Sequence, residues 1–234
     1  MKLSTIAKTS LALGILTTGV MTTYAQSADA EVKSEVKNQS QDVQKLYDYY
    51  TKNGFDYIDQ TGYKFGDKVE VIDKPSGQFS EVKLAGKDKD KFNKDLLPNI
   101  DVFVVREDSS KGTENHSIGG ITKTNSKNYD DYVVQVPISI ERHSNGFKFT
   151  NDLTPYQIKK EEISLKELDF KLRKKLIDEQ GLYKNNNKNG SIVIKMKSDD
   201  PKDVYSFELD KKLQDHRMGD VIDSRKIEKI TVSL

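Results

Sequence analysis

Residues that could catalyse a reaction or bind a metal ion are few and scattered in this 234-residue chain. His116, His143 and His216 fall in different predicted elements and have no partner at metal-ligand spacing, so we interpret them as surface or hydrogen-bonding histidines. Cysteine is absent, which excludes thiolate nucleophiles and thiolate metal sites. The adjacent carboxylates of Glu161 and Glu162 stand at the end of an element, where exposure is expected, and the sequence contains no GxSxG or phosphate-binding glycine loop. The sequence therefore predicts a protein that is not an enzyme, with no metal site and no cofactor.

A polar segment near the C-terminus presents side chains that could contact a ligand. Residues 204–209 are predicted to form a strand, because their side chains alternate between apolar and polar from Tyr205 onward. Ser206 and Glu208 project to the face opposite Phe207, away from whichever side buries that aromatic ring. Further polar residues follow at three-residue steps, in a segment that can fold back beside the strand. The candidate binding residues are Ser206, Glu208, Lys211, Gln214 and Arg217.

A helix is predicted immediately after residue 164, and both of its ends carry signals. Ser164 is placed to cap the N-terminus with Glu167 three residues later, and Gly181 stands where a left-handed C-cap is needed. Phe170 and Ile177 lie nearly opposite the main apolar stripe, which predicts that the helix is covered on two sides. That stripe comprises Leu165, Leu168, Leu172 and Leu176.

The sequence before this helix predicts a short helix followed by five strands. Val43, Leu46, Tyr47 and Tyr50 recur at helical spacing, which predicts a helix from about Asp42 to Lys52. Short strand-like segments separated by turn residues suit a small closed barrel, and an OB-fold fits their number. The predicted strands are 57–65, 68–72, 78–84, 100–106 and 116–124. The alternating charges of residues 87–91 predict a solvated loop or helix face.

The remaining segments predict a second unit of strands around the capped helix. Residues 132–140 alternate as a half-buried strand, in which Pro137 requires an edge or a bulge. After the helix, alternating patterns at 192–196, 204–209 and 230–234 predict a hairpin and a closing strand. Strand, helix, hairpin and strand form a β-grasp-like α+β unit.

The first thirty residues are typical of a secretory signal peptide. Lys2 and Lys8 precede an apolar core at 11–20, and Ala28 and Ala30 form a small-x-small cleavage site, so we expect a secreted mature chain. Without this segment the chain has 36 basic and 36 acidic residues. A neutral chain favours neither nucleic acid nor an acidic membrane as a partner.

The pattern of Lys160, Ile163, Leu168-Asp169, Arg173, Leu176 and Leu182-Tyr183 resembles the C-terminal signature of staphylococcal and streptococcal superantigen toxins. Segments 101–105, 118–122, 161–173 and 217–221 are similar to those of the staphylococcal superantigen-like, or exotoxin-like, branch. The resemblance implies an α+β, largely β, two-domain fold in which an OB-fold barrel precedes a β-grasp domain and the capped helix lies between them. We expect a signal peptide at 1–30, a flexible mature N-terminus at 31–41, the OB-fold domain at 42–127 and the β-grasp domain at 128–234.

In several superantigen-like proteins the segment that matches 206–218 forms a shallow site for sialylated glycans such as sialyl Lewis X. The resemblance thus implies glycan-binding roles for the five candidate residues, with Arg217 as the anchor. A guanidinium group can hold the sialic acid carboxylate through two parallel charge-assisted hydrogen bonds. Ser206 stands where relatives have threonine, and the loop at 197–204 also differs from theirs.

Several alternatives remain open at this stage. Arg217 and Met218 can be explained as residues that complete the domain, and the chain can be a decoy that binds a host immunoglobulin, complement component, matrix protein or innate receptor without any sugar. True superantigen activity is disfavoured, because the chain lacks a zinc pair and a disulfide loop. Dimerisation through an unpaired sheet edge is a further open expectation. The favoured hypothesis is a secreted immune-evasion protein that binds sialylated glycoproteins on host leukocytes.

Overall fold

The computed structural model describes residues 40–108, 114–200 and 202–234. The predicted signal peptide and residues 31–39 of the predicted flexible segment lie outside these ranges. Three α-helices are present in them, α1 (Gln41–Tyr50), α2 (Asp88–Lys91) and α3 (Leu165–Gln180). The strands of the first half are β1 (Gly54–Phe65), β2 (Lys68–Ile72), β3 (Phe79–Lys83), β4 (Leu96–Val105), β5 (Asn115–Ile118) and β6 (Ile121–Lys123). Those of the second half are β7 (Val134–Val136), β8 (Ile138–Ser144), β9 (Phe147–Asp152), β10 (Tyr156–Ile158), β11 (Glu162–Ser164), β12 (Ser191–Met196), β13 (Val204–Glu208), β14 (Val221–Asp223) and β15 (Ile227–Ser233).

The first six strands form one sheet in the order β5-β3-β2-β1-β4-β6. The backbone N–H of Glu107, just past β4, donates to His116 O on β5 at 2.9 Å, so the two ends of the sheet approach each other. Eleven buried apolar side chains of the described residues, among them Val69, Val102 and Ile121, fill the interior. This closed arrangement is the OB-fold that the sequence predicted.

The second half contains a five-stranded sheet in the order β13-β12-β15-β8-β9, in which β15 and β8 run parallel. Helix α3 packs against it, and its N-cap and C-cap are those predicted: Ser164 Oγ accepts from Glu167 N at 3.1 Å, and Gly181 has φ 67°. The two apolar stripes of α3 are both buried. The prediction of a helix covered on two sides is confirmed, because α1 and the end of β4 contribute to the same core as the β-grasp sheet.

Several predicted boundaries were wrong. The helix predicted from about Asp42 to Lys52 is present as α1, Gln41–Tyr50. Its first residue falls inside the segment expected to be flexible at 31–41, because Ser40 Oγ caps the helix by accepting from Val43 N. The single strand expected at 116–124 is two strands, because Gly119 and Gly120 both have positive φ and break it.

The strand expected at 132–140 is likewise divided. Pro137 separates β7 from β8, which belong to different sheets. The hairpin partner β9 was not predicted at all, although Asn145 and Gly146 form a two-residue turn with positive φ at both positions.

Candidate functional site

Strand β13 presents its alternate side chains as the sequence predicted. Phe207 is buried, whereas Ser206 and Glu208 are exposed on the opposite face. The strand forms an edge of the five-stranded sheet, and among the described residues β12 is its single strand neighbour. The outer edge of β13 is therefore left without a strand partner there.

Arg217 lies in a short 3-10 helix, Asp215–Arg217, and its side chain folds back onto β13. Its Nη1 donates to Ser206 O at 2.9 Å and to Gln214 Oε1 at 3.3 Å. The guanidinium carbon lies 5.6 Å from the centroid of the Phe207 ring. Within the described part of the chain, no carboxylate forms an ion pair with this group, so its charge is held by neutral acceptors and is available to an anion.

Glu208 and Lys211 form a separate pair. Their side chains make a close ion pair, and both are about half exposed. The hydrogen bond and charge of Glu208 raise the pKa of Lys211. The structure thus divides the five predicted residues into a cluster of Ser206, Gln214 and Arg217 and an adjacent, mutually neutralised pair.

The backbone of Ser206 also belongs to this cluster. In an antiparallel strand the N–H and C=O of one residue point to the same side. Because Ser206 O accepts from Arg217 and not from β12, the N–H of Ser206 points to the outer edge as well. The site therefore offers a hydroxyl, a backbone N–H and a guanidinium group side by side.

A buried network from α3 holds the end of β13 in place. Arg173 donates to Glu208 O at 2.9 Å and to Leu209 O at 3.2 Å, and the Tyr183 hydroxyl donates to Leu209 O at 2.9 Å. Asp169 balances the charge of Arg173 at 2.7 Å. These groups fix the backbone of β13 and are therefore positioning residues. In the sequence they stood out only as part of the superantigen-toxin pattern. The four-residue spacing of Asp169 and Arg173 on one helix was the signal available.

The same network continues into the loop that carries Arg217. The hydroxyl of Tyr50, on α1, donates to Asp169 Oδ2 at 2.7 Å and accepts from Leu213 N at 3.2 Å. One turn away on α3, Lys166 crosses to the barrel and donates to Ser117 Oγ at 2.6 Å and Ile118 O at 2.7 Å. Burial lowers the pKa of this lysine to about 8, although the nearby charge of Glu107 opposes the shift.

The barrel supports the Arg217 loop from the other side. The Gly120 N–H donates to Met218 O at 3.0 Å. A Cβ atom at Gly86 would lie 1.9 Å from His216 O, and one at Gly219 would lie 2.6 Å from Asp88 Oδ2. Residues 216–219 are therefore packed backbone to backbone against the barrel loops, and the candidate site lies beside a junction between the two domains.

A cleft of about 1080 Å³ opens elsewhere between the domains, and none of the five candidate residues lines it. Four of its charged side chains are paired with one another: Asp56 contacts Lys160 at 3.3 Å and Lys171 at 2.9 Å, and Glu167 contacts both lysines. Burial would raise the pKa of Asp56, but the two lysine charges outweigh it and lower that pKa.

The expectation that Glu161 is exposed was wrong, and its partners Ser126 and Tyr129 line the cleft. This residue is buried, not exposed, because its carboxylate accepts from Tyr129 at 2.7 Å and from the Ser126 hydroxyl at 2.8 Å. Both donors belong to the segment that links the two domains. Glu161 therefore fastens that segment and is not free to act as an acid or base.

Comparison with known proteins accounts for both halves of this architecture. Residues 44–125 match the model of the staphylococcal superantigen-like OB-fold domain, and residues 134–234 match the beta-grasp domain of staphylococcal and streptococcal toxins. Superantigen-like protein 11 of Staphylococcus aureus (strain Newman) is 51% identical over 234 residues, which cover 100% of both chains. The chain belongs to the staphylococcal superantigen-like family. Proteins of this family are not enzymes as a group.

Solved structures of superantigen-like proteins extend the comparison to ligands. The superantigen-like protein SSL5, crystallised with sialyl Lewis X, is 38% identical with a TM-score of 0.72, over 82% of this chain and 99% of that one. A second superantigen-like protein from Staphylococcus aureus, also in complex with sialyl Lewis X, is 40% identical with a TM-score of 0.73, over 82% of this chain and 98% of the other. Within the residues described here, no helix is both long and apolar enough to cross a membrane.

Proposed function

We propose that this superantigen-like protein is a secreted, non-enzymatic immune-evasion factor that binds sialylated glycoproteins on host leukocytes, with glycans of the sialyl Lewis X type as ligands. The observation that carries the proposal is the guanidinium group of Arg217, which is partly exposed and has only neutral partners among the described residues. Complexes of related proteins with sialyl Lewis X support the choice of ligand.

The chemistry of the site suits an anionic sugar. The Nε and Nη2 groups of Arg217 are left to hold the sialic acid carboxylate, while the hydroxyl and N–H of Ser206 and the amide of Gln214 can bind ring hydroxyls. Glu208 and Lys211 border the site. They can exchange their mutual ion pair for sugar hydroxyls at little cost, because an exposed ion pair stabilises a protein by only about 0.2–1 kcal/mol.

The direct test compares the native chain with Arg217→Ala in titrations with sialyl Lewis X. Removing a charged hydrogen-bonding group is expected to weaken binding roughly 10- to 100-fold. Arg225→Ala is the matched control, because Arg225 is another exposed arginine and its charge is already paired with Asp223 at 2.8 Å. Equal affinity of the native chain and Arg217→Ala for the glycan would exclude the site.

A second candidate function, capture of a host protein without sugar, is favoured by a separate surface. Tyr63, Phe65, Ile72 and Leu96 are 49–60% exposed and lie on neighbouring strands on the outside of the barrel. Clustered exposed apolar side chains are typical of protein-binding surfaces. Binding to leukocytes that survives sialidase treatment and is lost in Phe65→Ser would assign the function to this surface.

A further inference from the structure

Strand β9 is an unprotected edge of the β-grasp sheet. All six of its residues are exposed, and in the described part of the chain its single strand partner is β8. It is regular and contains no proline, and an edge of this kind can accept another strand.

The turn of the β8–β9 hairpin determines which backbone groups face outward. A two-residue turn makes the flanking residues, Ser144 and Phe147, a hydrogen-bonded pair, and such pairs alternate along the ladder. The hydrogen bond from Leu153 N to Ile138 O at 2.9 Å agrees with this alternation, because Leu153 lies an even number of residues from Phe147. The N–H and C=O groups of Lys148, Thr150 and Asp152 therefore point away from β8.

We propose that β9 pairs antiparallel with β9 of a second copy of this chain, around a two-fold axis at Thr150. Because Lys148, Thr150 and Asp152 carry the outward backbone groups, a symmetric pairing that uses all three must place Thr150 opposite Thr150 of the second copy. Lys148 then lies opposite Asp152 of the second copy, and the reverse pair forms on the other side of the axis. One register thus gives the most hydrogen bonds and also pairs opposite charges twice.

The apolar side chains of β9 fit the same register. Phe147 and Phe149 are 68% and 58% exposed and lie on one face of the hairpin. In the dimer Phe147 lies opposite the partly buried Leu153 of the second copy, and the two Phe149 rings are diagonal neighbours within reach of each other. On the other face Lys148 already contacts Glu141 at 2.8 Å, so its ammonium group comes to lie between two carboxylates.

This pairing makes the proposed glycan function bivalent. β13 and β9 are opposite edges of the sheet, so the dimer places its two copies of β13 at the ends of one continuous sheet, about 43 Å apart at about 4.8 Å per strand. Two sites at that distance can bind neighbouring glycans on one cell surface and gain avidity. The bivalence rests on the proposed function, whereas the dimer does not.

Sedimentation velocity over a concentration series tests the dimer. Thr150→Pro removes an outward N–H and leaves the β8 ladder intact, so it is expected to weaken self-association at least roughly tenfold. Thr150→Val keeps the N–H and is the matched control. A native chain that remains monomeric at its highest soluble concentration, or a dimer that Thr150→Pro leaves unchanged, overturns the proposal.

Charge reversal tests the register. Lys148→Glu and Asp152→Lys each place like charges opposite one another in a homodimer, so each alone is expected to be monomeric. Mixed together they are expected to form a heterodimer, because every opposed pair is then of opposite charge. Absence of a heterodimer in the mixture contradicts the register.

A crosslink gives an independent readout. Thr150→Cys introduces the only thiol in the chain, and its Cα atoms in a hydrogen-bonded pair would be about 5.5 Å apart, which suits a disulfide. Mild oxidation is expected to give a covalent dimer, whereas the exposed control Asp131→Cys is expected to stay monomeric. Similar yields from the two variants contradict the interface.

Glycan assays separate the two proposals. Thr150→Pro is expected to keep its affinity for free sialyl Lewis X and to bind glycan-coated beads less strongly than the native chain. If the dimer forms but neither variant nor native chain binds the glycan, only the proposed function fails.

Discussion

Asp88 supplies the most informative stability test in the molecule. It is fully buried, and neither carboxylate oxygen has a hydrogen-bond partner among the residues that the structure describes. Burial, with some repulsion from Asp220 and against the attraction of Lys91, raises the pKa of this carboxyl group to about 7 from its ordinary 3.8. The charge run at 87–91 had predicted a solvated segment, so the burial of Asp88 is a correction as well as an observation.

The sign of the pH effect follows from linkage. The folded chain holds the Asp88 proton more tightly than the unfolded chain does. The contribution of Asp88 to the stability of the fold is therefore highest below about pH 4 and falls as the pH rises towards 7. The pKa of Asp88 differs by about three between the folded and unfolded chains, which corresponds to a loss of at most about 4 kcal/mol in the free energy of unfolding above pH 7. Asp88→Asn cannot ionise and keeps the shape of the neutral acid. It is therefore expected to match the native chain near pH 4 and to exceed its stability by up to about 4 kcal/mol at pH 8.

Urea unfolding of both proteins at several pH values between 4 and 8 measures this difference. Titrating groups that do not interact with Asp88 affect both proteins alike, so they cancel in the comparison. Asp90→Asn, an exposed aspartate on the same short helix α2, is the control and is expected to leave the pH dependence unchanged. Parallel stability curves for the native chain and Asp88→Asn would refute the reasoning.

Two further substitutions test the junction between the domains. The pKa of the buried Lys166 amine is lowered to about 8, so the native chain is expected to gain up to about 3 kcal/mol of stability between pH 8 and 10.5. Lys166→Met removes the amine and is expected to abolish that gain, as measured by unfolding across the same pH range. Gly86→Ala places a methyl group 1.9 Å from His216 O, and a loss of more than 3 kcal/mol is expected in the same assay. Gly66→Ala has a similar positive φ but open space around it, so a loss of only about 1 kcal/mol is expected there; equal losses would contradict the packing argument.

The features predicted well from the sequence are those encoded by neighbouring residues. The caps of α3 at Ser164 and Gly181 depend on backbone chemistry within a few positions, and they were predicted correctly. The outward face of β13 followed from simple alternation. The β8–β9 hairpin was missed although Asn145 and Gly146 signalled it, because the strand after the turn alternates exposed phenylalanines with polar residues and has no buried face to give a core pattern.

The features that could not be predicted depend on partners distant in the sequence. Gly219 packs against the buried carboxylate of Asp88, and no local pattern near residue 88 encodes that contact. The division of the candidate site into two parts has a similar cause. Arg217 reaches back eleven residues to the carbonyl of Ser206, whereas Lys211 reaches Glu208 three residues away.

The residues that identify the family and the residues that could bind a ligand are different sets. Lys160, Asp169, Arg173 and Tyr183, which carry the signature, are all at most 5% exposed. Arg173 donates to Asp169 and to Tyr183, and Lys160 is paired with Glu167. Removing one partner of such a buried pair costs about 3–5 kcal/mol, so these positions are constrained by folding. Ser206 and Arg217 lie on the surface of the strand and loop that this network holds. The scaffold can therefore keep its fold while surface residues change its ligand, and the glycan has to be tested at Arg217 itself.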